Sequence, residues 1–573
     1  MPPGLILELV LFPLVTFGLA WPLASRLKLD PSERLSVAAV LSLVAVYLVA
    51  FVVYILRMPV AVFWVLPALG LTGLAAGRHA LVAALSDVSA RALLIGQALI
   101  VGWCVGWLAL VVSYSGGGWV GDWIEHFDRA QFFLRHWPID TEFLGIYPLS
   151  ARPPLANLVT GALLGPIGAT FAGYQLVTTL LSCLAFLPAA LLARRFQPGP
   201  RLEGGPQTAI AVCAVLLMLN PSFVENTTFA WTKLIEVFFF LNGLYFFLRA
   251  HDEGGPSAAG PLCAASLGAA ALAHYSAGPY IVMLAGAWFA LGRTRWRDPA
   301  FWRRTALLGL IGGSILCTWL GWSSANYGIR ATLFSNTSVA VPEYVHSHRL
   351  LVFALNLRDT VVPQLPRFMF SEITSQSSPW GYWRDWFFLL YQQNLLLAFG
   401  AVGWLVLARE LVRSARSASR RSLWFWTFFS GGTILLSVLA GGERGTWGCA
   451  NVCLQGIALL GRAFLASRWA TLGRGWQLAW VAGACFDLCF GIGLQFGIQS
   501  FALDRWLAPG TSFADKALSY SAFAMMNLRA KMQRQFVFFA DAIPANNVLL
   551  LALLAAILTL AVLRVGRSRQ DAR

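Results

Sequence analysis

Repeated apolar runs of about 20 residues, each bounded by charge or by Pro and Gly, dominate this chain of 573 residues. A run of that length matches a helix that crosses a bilayer, where the backbone must satisfy its own hydrogen bonds. The chain is 58% hydrophobic and 12% charged, against roughly 25% charged in an average soluble domain. These features exclude a soluble enzyme with a single anchor, a disordered chain and a coiled coil. They indicate an all-α polytopic membrane protein.

The apolar runs set the expected helices. We place spans at 4–23, 35–56, 59–77, 92–113, 172–193, 207–219, 231–248, 261–274, 278–292, 305–322, 386–407, 422–440, 448–466, 475–498 and 546–565. The apolar segment 153–168 is interrupted by Gly and Pro, and we interpret it as a short helix in the outer membrane interface. The sequence predicts a bundle of about 13–15 transmembrane helices with juxtamembrane helices at the outer face and no separate soluble domain.

Basic residues fix the expected orientation. Thirty-eight of the 42 basic residues are Arg, and most stand in short clusters between apolar runs. This is the pattern of cytoplasmic loops, so we assign Arg194 and Arg195, Arg249 and Arg462 to the inner side. The distribution argues against nucleic acid as a partner, because no basic and aromatic stretch lies outside these loops. The near absence of Lys is more typical of a bacterial chain, which predicts the inner (plasma) membrane.

The outer loop 114–171 carries the densest group of polar residues. Within eight residues it holds Asp122, Glu125, His126, Asp128 and Arg129. On a helix, Asp122 and His126 lie one turn apart, as do Glu125 and Arg129. A partly desolvated carboxylate suits a general base, whereas a solvated amphipathic helix with paired charges is the simpler alternative. A divalent cation beside Asp122, Glu125 and His126 is also open, although the spacing names no metal.

A basic residue follows in the same loop. Arg152 precedes Pro153 and Pro154, so the backbone is expected to be extended and stiff there. An Arg at the membrane surface can bind a lipid phosphate with two hydrogen bonds, or it can simply reach a lipid headgroup.

Three further polar residues lie beside apolar runs. Glu225 falls in the outer loop 220–230, Lys233 begins the next span, and His274 stands at a break between two helices, before Tyr-Ser-Ala-Gly-Pro. A Lys in an apolar span is costly and marks a site or a buried partner. A Lys233–Glu236 pair on one helix face is the alternative account of that residue, and a structural role is the alternative for His274.

Later outer segments add residues that could line a site. The loop 323–385 contains His346, His348 and Arg358, and the loop 499–545 is the last long one. None of these residues shows a metal-ligand spacing, so the metal stays unassigned.

Several of these motifs occur in a familiar order. An acidic residue opens the first large outer loop, His-Trp-Pro (136–138) follows, and a basic residue then precedes Pro-Pro-Leu (153–155). The next span closes with paired Arg residues in LLARRF (191–196). Over residues 92–292 the chain resembles the GT-C membrane glycosyltransferases, in particular the branch of protein O-mannosyltransferases and lipid A aminoarabinose transferases.

The resemblance implies roles for individual residues. Asp122 stands where the family has its first-loop catalytic carboxylate, and Glu225 where it has a second acidic residue, usually Asp. Arg152 stands where a Lys usually contacts the donor phosphate, and His274 where a basic residue often lies near that phosphate. Lys233 is a further candidate for the phosphate. Two features depart from the family: Trp123 follows Asp122 where Glu is common, and four predicted spans precede this loop where one is usual.

The expected organisation has three parts. Residues 1–91 are N-terminal transmembrane helices outside the resemblance, 92–292 form the GT-C-like catalytic module with loops 114–171 and 220–230, and 293–573 are C-terminal transmembrane helices. The resemblance implies transfer of a sugar from a polyprenyl-phosphate-linked donor to a glycan, lipid or protein acceptor at the periplasmic face. Such transfer is expected to invert the configuration at the anomeric carbon of the sugar, with Asp122 as general base.

Other functions remain open at this stage. An O-antigen-ligase-like or polymerase enzyme would use a diphosphate-linked donor and depend on Arg and His in the loop 323–385. A polytopic lipid or polysaccharide transporter would have the same charge pattern, although no inverted repeat is evident. A scaffold without activity would not explain why the polar residues gather on one predicted side.

Overall fold

The computed structural model describes residues 2–111, 114, 122–145, 147–198, 205–335, 349–362, 391–392, 394–441, 453–491, 493, 536–543, 553–554, 556–557 and 560. Within these residues the chain is helical, and its single β contact is an isolated bridge between Phe143 and Tyr147. The predicted all-α class is therefore confirmed.

Most helices follow the apolar runs. The predicted span 386–407 is an exception, because its described residues 394–402 form turns and the next helix begins at Gly403. The structure has α1 Pro3–Pro13, α2 Trp21–Arg26, α3 Pro31–Ile55, α4 Val65–Ala76, α5 Arg78–Ser86, α6 Val88–Leu108, α7 Asp122–Arg135, α8 Leu155–Leu164, α9 Phe171–Cys183, α10 Phe186–Arg195, α11 Gly205–Met218 and α12 Pro221–Thr228. It continues with α13 Lys233–Arg249, α14 Ala259–Ala273, α15 Ala277–Leu291, α16 Pro299–Tyr327, α17 Ile329–Phe334, α18 Arg349–Val361, α19 Gly403–Ser417, α20 Arg420–Gly441, α21 Gln455–Arg468, α22 Arg474–Gly491 and α23 Phe539–Ala542.

Six helices of the described residues are long and apolar enough to cross a membrane. They are Pro3–Arg26, Pro31–Ile55, Val88–Leu108, Phe171–Arg195, Pro299–Tyr327 and Arg420–Ala440. Two more predicted spans are each a pair of helices bent by 73°, Val60–Ala76 with Arg78–Ser86 and Gln207–Met218 with Pro221–Thr228. The predicted polytopic class is confirmed. Some of the 13–15 predicted spans fall on residues that the structure does not describe.

Helix α13 lies at the centre of the bundle. Its residues from Lys233 to Phe247 are all buried, and it packs against α14, α9, α10, α15 and α21. Helix α3 joins it from the N-terminal segment, where the Ser36 hydroxyl donates to Asn242 at 2.7 Å. The first 91 residues therefore pack directly against the predicted catalytic module.

Three of the basic loops meet at the C-terminal end of α13. Arg249 binds the buried carboxylate of Glu33 at 2.8 Å, and Arg195 binds Asp252 at 2.7 Å. Arg194 binds Asp30 at 2.9 Å. Three of the Arg residues that the charge pattern assigns to a common side, Arg194, Arg195 and Arg249, therefore lie together. The other end of α13 begins at Lys233, 16 residues and about 24 Å of helix away.

The structure differs from two local predictions, those for the segment 153–168 and for Arg462. All ten residues of α8 are buried, and the helix packs against α3, α7 and α9, so it exposes no face of its own to an interface. Arg462 is also buried, although the charge pattern assigns it to a loop. Its guanidinium donates to Asn220 at 2.7 Å and to the Ala398 carbonyl, which lets a cation lie inside the bundle.

Candidate active site

Helix α7 presents its polar residues to the protein interior. Asp122 and Glu125 occupy its first turn, where the positive end of the helix dipole favours negative charge. The apolar residues Trp123 and Phe127 are buried as well. The helix is therefore enclosed by protein, and the solvated amphipathic helix does not describe it.

Glu125 lies at the centre of a buried charge group. Its Oε1 accepts from Arg129 Nε at 2.9 Å and from Arg152 Nε at 3.3 Å. Its Oε2 accepts from Arg152 Nη2 at 3.3 Å. Asp122 joins through an ion pair of 3.7 Å with Arg152 Nη2. We call these four residues the carboxylate–arginine cluster.

The backbone around Arg152 aims its side chain into the cluster. Arg152 is extended, with φ −132° and ψ 140°, as its place before two prolines predicts. Its Nη1 donates to the Tyr275 hydroxyl at 2.9 Å. The guanidinium thus links α7 to the segment between α14 and α15, 123 residues further along the chain.

The two carboxylates of the cluster have opposite electrostatic surroundings. Burial alone would raise the pKa of Glu125, but Arg152 and Arg129 lower it to about 2. Burial raises the pKa of Asp122 to about 6, against the lowering effect of Arg152. The side chain of Glu125 is fully enclosed, whereas 18% of the Asp122 side chain is exposed. Glu125 is therefore held ionised as a structural anion, and Asp122 can exchange a proton near neutral pH.

Arg129 and His126 support the cluster from inside. Arg129 donates to the carbonyls of Leu149 and Pro148 at 2.8 and 3.0 Å, which fixes the segment before Arg152. His126 Nδ1 lies 3.2 Å from the Asn157 side-chain oxygen, so this nitrogen carries the proton. Burial lowers the pKa of His126 to about 3, and the imidazole is neutral. Both residues position the cluster.

Lys233 and His274 meet on the other side of Tyr275. Lys233 Nζ lies 3.1 Å from His274 Nε2, and it stands 5.8 Å from the centre of the Tyr275 ring. Arg152 lies at 5.8 Å from the same ring. His274 follows α14 in an extended conformation, which is the helix break that the sequence predicts. Two basic side chains from distant parts of the chain therefore flank one tyrosine.

Glu225 lies in a buried group of amides. Gln392 Nε2 donates to Glu225 Oε2 at 3.4 Å, and Gln392 Oε1 accepts from Asn226 at 2.7 Å and from Gln455 at 3.1 Å. The second predicted carboxylate thus accepts from a carboxamide, whereas Asp122 forms an ion pair with the Arg152 guanidinium.

The remaining predicted residues have separate surroundings. Arg358 pairs with its neighbour Asp359 at 2.9 Å, and 42% of its side chain is exposed. His346 and His348 lie outside the described residues.

Sequence reasoning missed Tyr275, Ser276, Asn157 and Gln392 as members of these groups. The run Tyr-Ser-Ala-Gly-Pro after His274 was the available signal for the first two. Nothing in the sequence indicates Asn157 or Gln392, because their partners are distant in the chain.

A metal site was one of the open predictions. Within the residues that the structure describes, no three His, Cys, Asp or Glu side chains stand together in a group that could hold a metal ion. Asp122 and Glu125 direct their oxygens at guanidinium groups instead, which is the usual way to compensate buried carboxylates without a metal.

The similarity of this chain to known proteins is one of structure. No protein-family model matches the chain, and no curated protein matches it significantly. Two crystal structures of ArnT from Cupriavidus metallidurans are similar in structure, each with a TM-score of 0.44. The one bound to undecaprenyl phosphate is 13% identical and matches over 84% of this chain and 78% of ArnT. The one in the apo state is 14% identical and matches over 83% and 76%.

Proposed function

We propose that this protein is a membrane glycosyltransferase that transfers a sugar from a polyprenyl-phosphate-linked donor to an acceptor hydroxyl or amine. The observation that carries the proposal is the convergence of one titratable carboxylate, Asp122, with two basic side chains, Arg152 and Lys233, around Tyr275. Transfer from a lipid phosphate requires these two kinds of group.

Asp122 is the general base of the proposed reaction. It is the cluster carboxylate with an exposed fraction, and its pKa of about 6 leaves it ionised at neutral pH. It can therefore take the proton of the acceptor as the bond to the sugar carbon forms. Glu125 is unsuited to this role because two guanidinium groups hold its oxygens.

Arg152 and Lys233 bind the phosphate that leaves. Arg152 is held by Glu125 and Tyr275, and 12% of its side chain is exposed. The guanidinium offers planar paired donors, and the ammonium adds a second positive charge for the departing phosphate. His274 supports Lys233 from behind. A single base and a single displacement predict inversion at the sugar carbon.

The setting of the reaction is part of the proposal. The site lies at the end of α13 opposite the basic end, and the excess of Arg at that basic end marks it as cytoplasmic. We therefore place the site at the periplasmic face of a bacterial inner membrane. The donor lipid reaches it from the bilayer, and the acceptor is a glycan, a lipid or a protein. The division of the chain at residues 91 and 292 stays a prediction.

The test is donor consumption by the purified protein in detergent, with a panel of radiolabelled polyprenyl-phosphate sugars. We expect Asp122→Asn to lower turnover by about 10²–10⁴-fold, as removal of a general base does. Arg152→Ala is expected to abolish consumption. Asp128→Asn is the matched control, because it removes another half-buried carboxylate of α7 and leaves the ion pair of Asp122 in place. Normal turnover by Asp122→Asn would refute the assignment of the base.

The ligase-like alternative is the second arm of the same experiment. If no monophosphate donor is consumed by folded protein, diphosphate-linked donors are tested next. Consumption of a diphosphate donor, lost in variants of His346 or His348, would favour that reading over ours. Passage of an intact lipid-linked sugar across proteoliposomes without transfer would favour a transporter.

A further inference from the structure

A chain of buried hydrogen-bonding groups leads away from the proposed phosphate site into α13. Lys233 Nζ lies 3.1 Å from His274 Nε2, and His274 Nδ1 lies 2.7 Å from Ser276 Oγ. Ser276 Oγ lies 3.3 Å from Glu236 Oε2. All four side chains are buried. Lys233 and Glu236, one turn apart on the same helix, are thus joined through two residues of the α14–α15 connection. We call these four residues the lysine–glutamate relay.

The protons of the relay have two consistent arrangements. An ammonium on Lys233 requires His274 Nε2 to accept, so Nδ1 carries the imidazole proton and donates to Ser276 Oγ. The Ser276 hydroxyl then donates to an ionised Glu236. The neutral amine of Lys233 instead accepts from Nε2–H, and Nδ1 becomes an acceptor. The structure supplies donors for that second arrangement, since the Ser276 backbone N–H lies 3.0 Å from Nδ1 beside the hydroxyl.

Conversion between the two arrangements moves three protons and no net charge. The proton of Lys233 passes to His274 Nε2, the Nδ1 proton passes to Ser276 Oγ, and the hydroxyl proton passes to Glu236. The products are a neutral amine and a neutral carboxylic acid. The heavy atoms keep their positions, because each link is within reach of a hydrogen bond in both states.

The hydrogen bonds of the empty site fit the neutral arrangement, because the Ser276 backbone N–H donates to His274 Nδ1 at 3.0 Å and leaves the imidazole proton on Nε2, which lies 3.1 Å from Lys233 Nζ. Charges are costly inside a buried region of low dielectric constant. Glu236 Oε1 is buried without a hydrogen-bond partner among the described residues, so an ionised carboxylate there would be poorly stabilised. Arg152 also places a positive charge near His274. A phosphate bound at Arg152 reverses this preference, because its negative charge attracts an ammonium on Lys233.

We propose that donor binding drives a proton from Glu236 through Ser276 and His274 to Lys233. The inference rests on the proposed function, since the ligand is the phosphodiester of a polyprenyl-phosphate sugar. Lys233 thereby becomes a cation only when the phosphate is present, and the free site avoids a second buried positive charge beside Arg152. Glu236 and Ser276 are positioning residues that act through His274.

Other titratable groups face the relay from neighbouring elements. Asp122 and Arg152 lie near Lys233 and His274, and Tyr275 contacts both. His126 lies near His274, and Tyr280 faces Glu236 while its hydroxyl donates to the Cys453 carbonyl at 2.9 Å. Asp122 is the neighbour whose proton could exchange when an anion binds, so the test removes it.

The test measures proton uptake when a short-chain polyprenyl-phosphate sugar binds to full-length Asp122→Asn protein at pH 8. Titration calorimetry in HEPES and in Tris, which differ in ionisation enthalpy and carry no phosphate, counts the protons taken from buffer. In Asp122→Asn we expect none, because the relay supplies the proton internally. In Asp122→Asn/Glu236→Gln we expect uptake of about one proton and an affinity that falls about tenfold per pH unit, by linkage of one proton to binding.

Three variants keep the test independent of a single substitution. Ser276→Ala, also in the Asp122→Asn protein, is expected to take up about one proton, because Glu236 loses its hydrogen-bond donor and keeps its own proton. Glu236→Asp retains the carboxyl group and is expected to show no uptake. Adding Lys233→Met to the Glu236→Gln variant is expected to abolish the uptake, which identifies Lys233 as the group that gains the proton.

The outcomes separate the relay from the proposed function. Donor binding by both Glu236→Gln and Ser276→Ala without proton exchange would overturn the relay and leave the glycosyltransferase assignment intact. Failure of folded Asp122→Asn and wild-type protein to bind any lipid-linked sugar phosphate would overturn the proposed function, and the relay with it.

Discussion

The acid limb of the pH–rate profile is the sharpest consequence of the proposed site. Asp122 must be ionised to accept a proton, and its pKa is raised to about 6, mainly by burial. A base with this pKa is almost fully ionised at pH 7.5 and about one-tenth ionised at pH 5. We therefore expect kcat/KM for the lipid-linked donor to be roughly level above pH 7 and to fall to about one-tenth of its plateau at pH 5.

The assay follows initial rates of radiolabel transfer between pH 5 and pH 8. The phosphodiester of the donor stays ionised over this range, so the free substrate contributes no limb of its own. Arg152 lowers the pKa of Asp122, and Arg152→Gln is expected to move the limb of the residual activity to higher pH. The direction follows because loss of a nearby cation destabilises the carboxylate.

Asp128 serves as a control for the assignment of Asp122 as the base. Burial also raises the pKa of Asp128 to about 6, on the same helix. Asp128→Asn is expected to leave the limb unchanged, whereas the residual activity of Asp122→Asn is expected to lack it. Loss of the limb in Asp128→Asn with the limb intact in Asp122→Asn would refute the identification of the base.

Three further predictions concern stability. Arg129→Met removes three hydrogen bonds of the buried guanidinium and is expected to lower the free energy of unfolding by about 3–5 kcal/mol, as the loss of one buried ion-pair partner does. Adding Glu125→Gln should recover part of this free energy in detergent unfolding. A further loss in the double variant would contradict the prediction. Gly70→Ala would place a Cβ 2.2 Å from a backbone oxygen, so we expect a lower midpoint of thermal unfolding, whereas Gly309→Ala meets nothing within 4 Å and should leave the midpoint unchanged or higher. Because the pKa of His126 is lowered to about 3 by burial, stability should fall as pH drops from 6.5 toward 3, and His126→Asn should flatten the upper part of that decline in an acid unfolding series.

The sequence predicts the features that depend on local chemistry. Apolar runs bounded by charge predict the helices, because a bilayer requires their length and backbone bonding. Two prolines predict the extended backbone at Arg152, and the run after His274 predicts a break between helices. The common end of the loops around Arg194 and Arg249 also follows, since like charges are kept on one side of a membrane.

The pairing of side chains does not follow from the sequence. The sequence marks Glu125 only as a residue that could line the site, yet Arg152 binds it from 27 residues away and makes it a fixed anion. A direct Lys233–Glu236 pair is the simplest expectation from their spacing, yet His274 and Ser276 stand between them. Such outcomes depend on how distant helices pack, which no local pattern contains.

The length of helix α13 determines how far the proposed site lies from the basic side of the bundle. Lys233 begins it and Arg249 ends it, about 24 Å apart along a straight run of backbone hydrogen bonds. The ion pairs at Arg249 tie one end to the basic loops, so the height of the other end above them is the length of the helix. A bilayer with a hydrocarbon core of about 30 Å must thin locally for a lipid phosphate to reach that height, because tilting would shorten the span of the helix further. We therefore expect longer acyl chains in the bilayer to slow the proposed transfer without altering any residue of the site.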